Sequence, residues 1–222
     1  MLKFTATMFV LLWWGVNSFA QKRASEYVNL FICTSGDHGQ LDPSATVPFG
    51  MIKLGPDTDP GNHSGYNYQA NKITGFSHNR IGGTGCDGAG GNLRILPAIG
   101  ALNSESQPVE KQSEIASPCY YSITFSNKIK AELTATNQTG FHRYTFPSSD
   151  QSYLMVDFAS SFGGTISSSK RNINNHEFTV RVAAKNVCGI GRYIVNYHVW
   201  CNKDLSRYTE KENKLFVQFS LL

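Results

Sequence analysis

The sequence predicts an all-β chain folded as a β-sandwich, and three observations lead there. Apolar residues recur with period two in five separate runs, and clusters of Gly, Pro, Asn, Asp and Ser fall between those runs. No comparably long helical period appears. Composition agrees: only 16% of the 222 residues are charged and 20 are glycine, which suits turns and pleated surfaces better than helices.

Taken in order, residues 1–20 read as an export signal. Lys3 precedes an apolar run from Phe4 to Val16, and Ser18-Phe19-Ala20 has the small-x-small form of a signal-peptidase site. The run falls short of the roughly 20 apolar residues needed to span a bilayer. Cleavage would leave Gln21 first and an exported chain, periplasmic, secreted or at the surface of a bacterial cell.

The segment from Asn29 to Gly100 is dense in Gly, Pro, Asp, Asn and His, with short apolar stretches at Met51 to Leu54 and Leu93 to Leu96. It reads as ordered loops, so the first half is expected to be loop-rich and to carry any site. The strands follow. Tyr121, Ile123 and Phe125 alternate, and from Lys128 to Thr136 the residues Ile129, Ala131, Leu133 and Ala135 share one face while Lys130, Glu132 and Thr134 share the other. Phe178, Val180 and Val182 repeat the pattern, then Tyr193, Val195, Tyr197 and Val199, then Leu215, Val217 and Phe219. Turn residues separate them at Ser126-Asn127, Thr139-Gly140, Pro147 to Asp150, Gly163-Gly164 and Asn172 to Asn175. The last run stops at Leu222 without a terminal turn, which would leave an apolar sheet edge, so the sandwich is expected to be incomplete at that end.

Length argues for one domain over 21–222. The net charge of +4 comes from 20 basic and 16 acidic residues scattered along the chain, which excludes a polybasic nucleic-acid surface. Cys33, Cys86, Cys119, Cys188 and Cys201 are odd in number and contain no C-x-x-C pair, so buried free thiols with at most one or two disulfides are expected rather than a zinc site. Neither a Rossmann fingerprint nor a P-loop is present, which argues against a nucleotide cofactor.

Three stretches carry a family resemblance: YVNLFICTSGDHGQLDPSATVPFGMIKLGPDT (Tyr27 to Thr58), GFSHNRIGGTGCDGAGGNLRILPAIG (Gly75 to Gly100) and KIKAELTATNQTGFHRYTFP (Lys128 to Pro147), with a weaker echo in CGIGRYIVNYHVWC (Cys188 to Cys201). Together they resemble the N-terminal domain of glycoside hydrolase family 92, whose members are similar to one another as calcium-dependent, inverting exo-α-mannosidases. The resemblance implies an N-terminal β-sandwich packed on a larger C-terminal (α/α)6 barrel, with the sugar bound between them. It implies that the acid, the base and most calcium ligands belong to the barrel, which normally follows where this sequence ends. Two positions depart from the family pattern. Cys33 stands where glycine is usual, and Arg80 replaces the second histidine of an SHxH-like stretch, which points to a different linkage or an anion-bearing mannoside.

Inverting glycoside hydrolysis needs a carboxylic acid and a carboxylate about 6.5 to 9.5 Å apart. No such pair is evident, because Asp37, Asp42, Asp57, Asp59 and Asp87 lie in loop-rich sequence where Asp serves as a turn former. His78 and Arg80, followed by the glycine-rich run from Gly82 to Gly88 that holds Cys86 and Asp87, combine donors with close backbone approach and are the substrate-binding candidates. Cys86 reads as packing rather than as a nucleophile, for want of an orienting third group. His38, beside Asp37, lines the same cleft or closes a turn; both readings stay open. His142-Arg143-Tyr144 reads as structural cover for a sheet face. The sequence therefore reads as the carbohydrate-recognising half of a two-domain mannosidase, inert without its barrel. The alternative is a stand-alone carbohydrate-binding module.

Overall fold

The computed structural model describes residues 22–36, 40–58, 62–82, 88–205 and 207–221. Sixteen strands run through these residues in chain order: β1 Ala45–Thr46, β2 Lys53–Asp57, β3 Lys72–Ile73, β4 Gly75–His78, β5 Asn92–Ile99, β6 Gln107–Pro108, β7 Ile115–Ser117, β8 Tyr120–Thr124, β9 Lys130–Ala135, β10 Gly140–Thr145, β11 Ser149–Asp157, β12 Thr165–Asn174, β13 Glu177–Lys185, β14 Arg192–Trp200, β15 Tyr208–Lys211 and β16 Lys214–Leu221. Helix among the described residues is confined to short 3-10 turns at Ala24–Tyr27, Lys111–Ser113 and Val187–Gly189. None of it is long and apolar enough to cross a membrane. The expected export signal lies outside the described residues.

The strands form a sandwich with an unequal second layer. One layer is a seven-stranded antiparallel sheet in the order β1-β2-β4-β5-β11-β16-β15. A four-stranded sheet, β10-β9-β8-β7, and a three-stranded sheet, β12-β13-β14, make up the other, and β3 pairs with β6 separately. Leu54 and Phe76 of the large sheet pack with Tyr121, Ile123, Ala131 and Leu133 in one buried cluster. Ile95, Val156, Leu215 and Val217 pack with Phe178, Val180 and Val182 in a second. Tyr144 packs against both, so the two small sheets meet near it.

The alternating runs became strands with the predicted faces. Ile129, Ala131, Leu133 and Ala135 are buried on one side of β9, and Phe178, Val180 and Val182 on one side of β13. Glu132, expected on the open face, is also buried, because Arg143 and Tyr120 close over its carboxylate. The segment from Asn29 to Gly100 is less loop-like than expected, since it supplies β1 to β5. Strands buried on both faces lose the alternating signature, and their prolines hid them further. Pro56 lies beyond the reach of β1, which pairs only with Lys53 and Leu54, and Pro97 lies beyond the pairing of β4 with β5, so neither removes a needed donor.

Two other expectations are corrected. The run Leu215 to Phe219 is no bare edge, because β16 pairs with β11 on one side and β15 on the other. Among the described residues the free thiols are not buried: Cys33 is exposed, and Cys119 and Cys201 are half-buried, while Cys188 is disulfide-bonded. Cys33 has φ of 58°, the left-handed backbone that favours glycine.

Candidate functional site

β4 ends at His78 and β5 begins at Asn92, so the glycine-rich loop is the connection of this central hairpin. Gly90 needs its missing side chain: φ is 83°, and a Cβ there would stand 1.6 Å from the Asn79 carbonyl oxygen. Both ends of the loop are held by β14. The Tyr197 hydroxyl donates to Asn79 Oδ1, and the Tyr193 hydroxyl donates to Asn92 Oδ1 at 2.8 Å and accepts from the Gly90 backbone N–H at 3.2 Å.

His78 lies beneath the seam between the two small sheets. Its Nδ1 is 3.0 Å from the Leu93 carbonyl oxygen, and its Nε2 is 3.0 Å from Nε2 of His142 on β10. The His142 Nδ1 is 2.7 Å from the Tyr144 hydroxyl, and the rings of His78 and Tyr197 are 5.8 Å apart. A carbonyl only accepts, so Nδ1 of His78 carries the proton and its Nε2 accepts from His142. The hydroxyl of Tyr144 then donates to His142. Both rings are neutral in this chain of bonds. Burial pulls His78 down to about 4 despite its carbonyl partners, and burial together with the neighbouring His78 holds His142 well below the ordinary imidazole value.

Arg80 turns the opposite way, into the interior. Its Nη1 donates to the Pro56 carbonyl at 2.7 Å and to Asp57 Oδ1 at 2.6 Å, its Nη2 donates to the Ser64 carbonyl at 2.6 Å, and the Phe162 ring centroid lies 5.2 Å away. Asp42, 3.8 Å from Arg80 Nε, also meets Lys53 Nζ at 2.8 Å and the Ser44 hydroxyl. Burial acts to raise the Asp42 carboxyl, but Arg80 and Lys53 outweigh it and hold it low. Asp57 goes the other way: burial pushes it up to about 6 against Arg80 and Arg94. The Arg80 guanidinium is wholly buried, so we read it as the centre of an ion cluster that anchors the loop base rather than as a fork offered to a ligand.

Cys86, Asp87 and His38 lie outside the described residues. What borders them packs closely. A Cβ on Gly82 would approach the Gln40 carbonyl oxygen to 2.7 Å, and one on Gly88 would approach the His63 carbonyl oxygen to 2.0 Å, so both ends of the loop rest on the chain around Gln40 and His63. The sequence did not pair His142 with His78, 64 residues away. The only local signal was alternation, which sets His142 and Tyr144 on one face of β10 and Arg143 on the other.

The seam is a chain of neutral groups whose donors and acceptors meet one another, with His78 buried within it. It does not fit calcium. Among the described residues no group of three or more His, Cys, Asp or Glu side chains could hold a metal, and Asp42 and Asp57 already face cations.

Residues 27–214 match the glycosyl hydrolase family 92 N-terminal domain. The chain belongs to this family. A protein of Arthroderma benhamiae described as an uncharacterized secreted glycosidase is 30% identical over 190 residues, covering 75% of this chain and 24% of that protein. The family 92 α-mannosidase BT3965 of Bacteroides thetaiotaomicron superposes with a TM-score of 0.81 at 26% identity, over 90% of this chain and 31% of that one. The family 92 glycosyl hydrolase ccman5 superposes with a TM-score of 0.69 at 29% identity, over 78% of this chain and 26% of that one. The chain thus spans about a quarter to a third of the length of these proteins.

Proposed function

We propose that this chain is the carbohydrate-recognising N-terminal domain of an exported exo-α-mannosidase, supplying sugar-subsite loops and a packing surface to a following domain, and hydrolytically inert alone. One observation carries the reading of inertness. Every buried carboxylate among the described residues is matched by a cation: Asp42 with Lys53 at 2.8 Å, Asp57 with Arg80 at 2.6 Å, Glu114 with Lys111 at 2.6 Å, Glu132 with Arg143 at 2.8 Å and Asp157 with Arg94 at 2.9 Å. An acid that must protonate a leaving oxygen, facing a free carboxylate, is a different electrostatic arrangement. In this reading the catalytic pair and the calcium of the family come from the (α/α)6 barrel. His78, Asp87, Cys86 and His38 are the residues proposed to border the mannose, and the exposed Tyr27, Ile32, Phe49 and Met51 the surface that meets the barrel.

The test is hydrolysis of 4-nitrophenyl α-mannoside, with calcium, by the chain freed of residues 1–20. A two-domain family 92 enzyme serves as the positive control, and circular dichroism establishes folding. The expected result is a β-rich protein with turnover at the blank. Turnover that survives repurification would refute the reading.

A further inference from the structure

Trp200 is out of keeping with the rest of the surface. It ends β14 on the face turned away from the core and is 67% exposed. Beyond residue 20 it is the only tryptophan, the others being Trp13 and Trp14. It borders a shallow cavity of about 620 Å³ formed with Asn174, Asn175, His176, Glu177 and Asn202, where the turn between β12 and β13 meets the end of β14.

The polar wall of this cavity is held in place. Asn174 Oδ1 accepts from the His176 backbone N–H at 2.7 Å, and its Nδ2 donates to Glu177 Oε1 at 3.3 Å. His176 Nδ1 donates to the Cys201 and Lys203 carbonyls, each at 3.1 Å, which leaves its Nε2 as an acceptor. His198 Nε2 donates to Glu177 Oε2 at 2.9 Å. No side-chain hydrogen bond joins the amides of Asn175 or Asn202 to another described residue, so both remain available. Glu177 has a hydrogen-bond partner on each oxygen, and among the described residues no group of three His, Cys, Asp or Glu side chains gathers here to hold a metal. No unpaired basic group in the lining calls for an anion.

We infer that this cavity is a second saccharide site, distinct from the His78 seam, which takes a neutral hexose oligosaccharide. The apolar C–H face of a pyranose stacks on the indole, and the amides of Asn175 and Asn202 with His176 Nε2 meet its hydroxyls. Amides and hydroxyls each donate and accept, so the match needs no charge. An aromatic wall with a few fixed polar groups is the common make-up of a small-ligand site. The site is remote from the glycine-rich loop. Glu177 pairs with Trp200 at one end of β13, and Lys185, whose carbonyl lies against Gly163 beside Gly88, stands at the other. Eight residue steps separate them, about 27 Å of strand.

The experiment is a fluorescence titration of the chain freed of residues 1–20 with α-mannotriose, because emission then reports Trp200 alone. A saturable change with a dissociation constant on the order of 1 mM is expected. Asn175→Ala combined with Asn202→Ala should weaken it at least tenfold, and retardation in a mannan-containing native gel should be weaker in Trp200→Ala than in Trp200→Tyr. Should Trp200→Ala fail to fold, the asparagine pair carries the test. Asp87→Asn, in the other loop, should leave the titration unchanged whether or not that loop borders mannose. The inference is overturned by flat emission, as a face reserved for the following domain would give. It is equally overturned by retardation that is the same in Trp200→Ala and Trp200→Tyr, or by a titration abolished in Asp87→Asn.

Discussion

His78 is a base kept neutral by burial, and that gives the fold a definite response to acid. Its folded value of about 4 lies below the ordinary 6.5, so between those values the open chain binds a proton that the fold refuses. This stabilisation is complete above pH 6.5 and lost as pH falls towards 4, for a total of about 3 kcal/mol. Asp57 opposes it. With its carboxyl raised from 3.8 to about 6, the fold holds a proton that the open chain releases, so its contribution is complete below pH 3.8 and lost as pH rises through 6. The two nearly offset each other. Asp57→Asn should therefore lose more stability than the unaltered chain between pH 7 and pH 4, read as the shift in urea midpoint; equal shifts would show that one of these assignments is wrong. Arg80 makes a second prediction. Arg80→Met strips the paired cation from buried Asp57, leaves Asp42 to Lys53 alone, and should cost about 3–5 kcal/mol at pH 7 in the same measurement. The sequence drew attention to His78 and Arg80 through the glycines that follow them, but not to their opposite roles. Those depend on Asp42, Asp57 and His142, which only the sheet topology brings near.

At the scale of elements, β9 shows what alternation can and cannot reveal. Its buried and open faces were legible because one side of the strand meets the core and the other meets Arg143 and Tyr120. Leu133→Ala should cost about 2–5 kcal/mol by urea unfolding. Ile194→Ala, on the outward face of β14 and 52% exposed, should change the midpoint by no more than about 0.5 kcal/mol. A large effect at Ile194 would mean that something covers that face. β2 and β5 were illegible for the opposite reason. Both lie inside the large sheet, where burial on both faces erases the period, and each contains a proline that reads as a break until the ends of its neighbours are known. The loops were legible as loops, but not the fact that two tyrosines of β14 pin the ends of one of them.

The whole molecule leaves Tyr27, Ile32, Phe49 and Met51 open to solvent within one stretch of chain, Phe49 completely so. The double substitution Phe49→Ser and Met51→Ser should lower self-association in sedimentation without moving the urea midpoint by more than about 0.5 kcal/mol. Unchanged association would remove these residues from the proposed packing surface. The two small sheets are each drawn from one continuous stretch, β7 to β10 and β12 to β14, whereas the large sheet is stitched from β1, β2, β4, β5, β11, β15 and β16. Contacts close in sequence form first, because closing a long loop costs entropy before any pairing offsets it. The meanders should therefore assemble while the large sheet still waits for β16 to reach β11. For that interval Leu54, Phe76 and Val156 have no complete floor to lie in, and it is then that the chain is most open to sticking to its own copies.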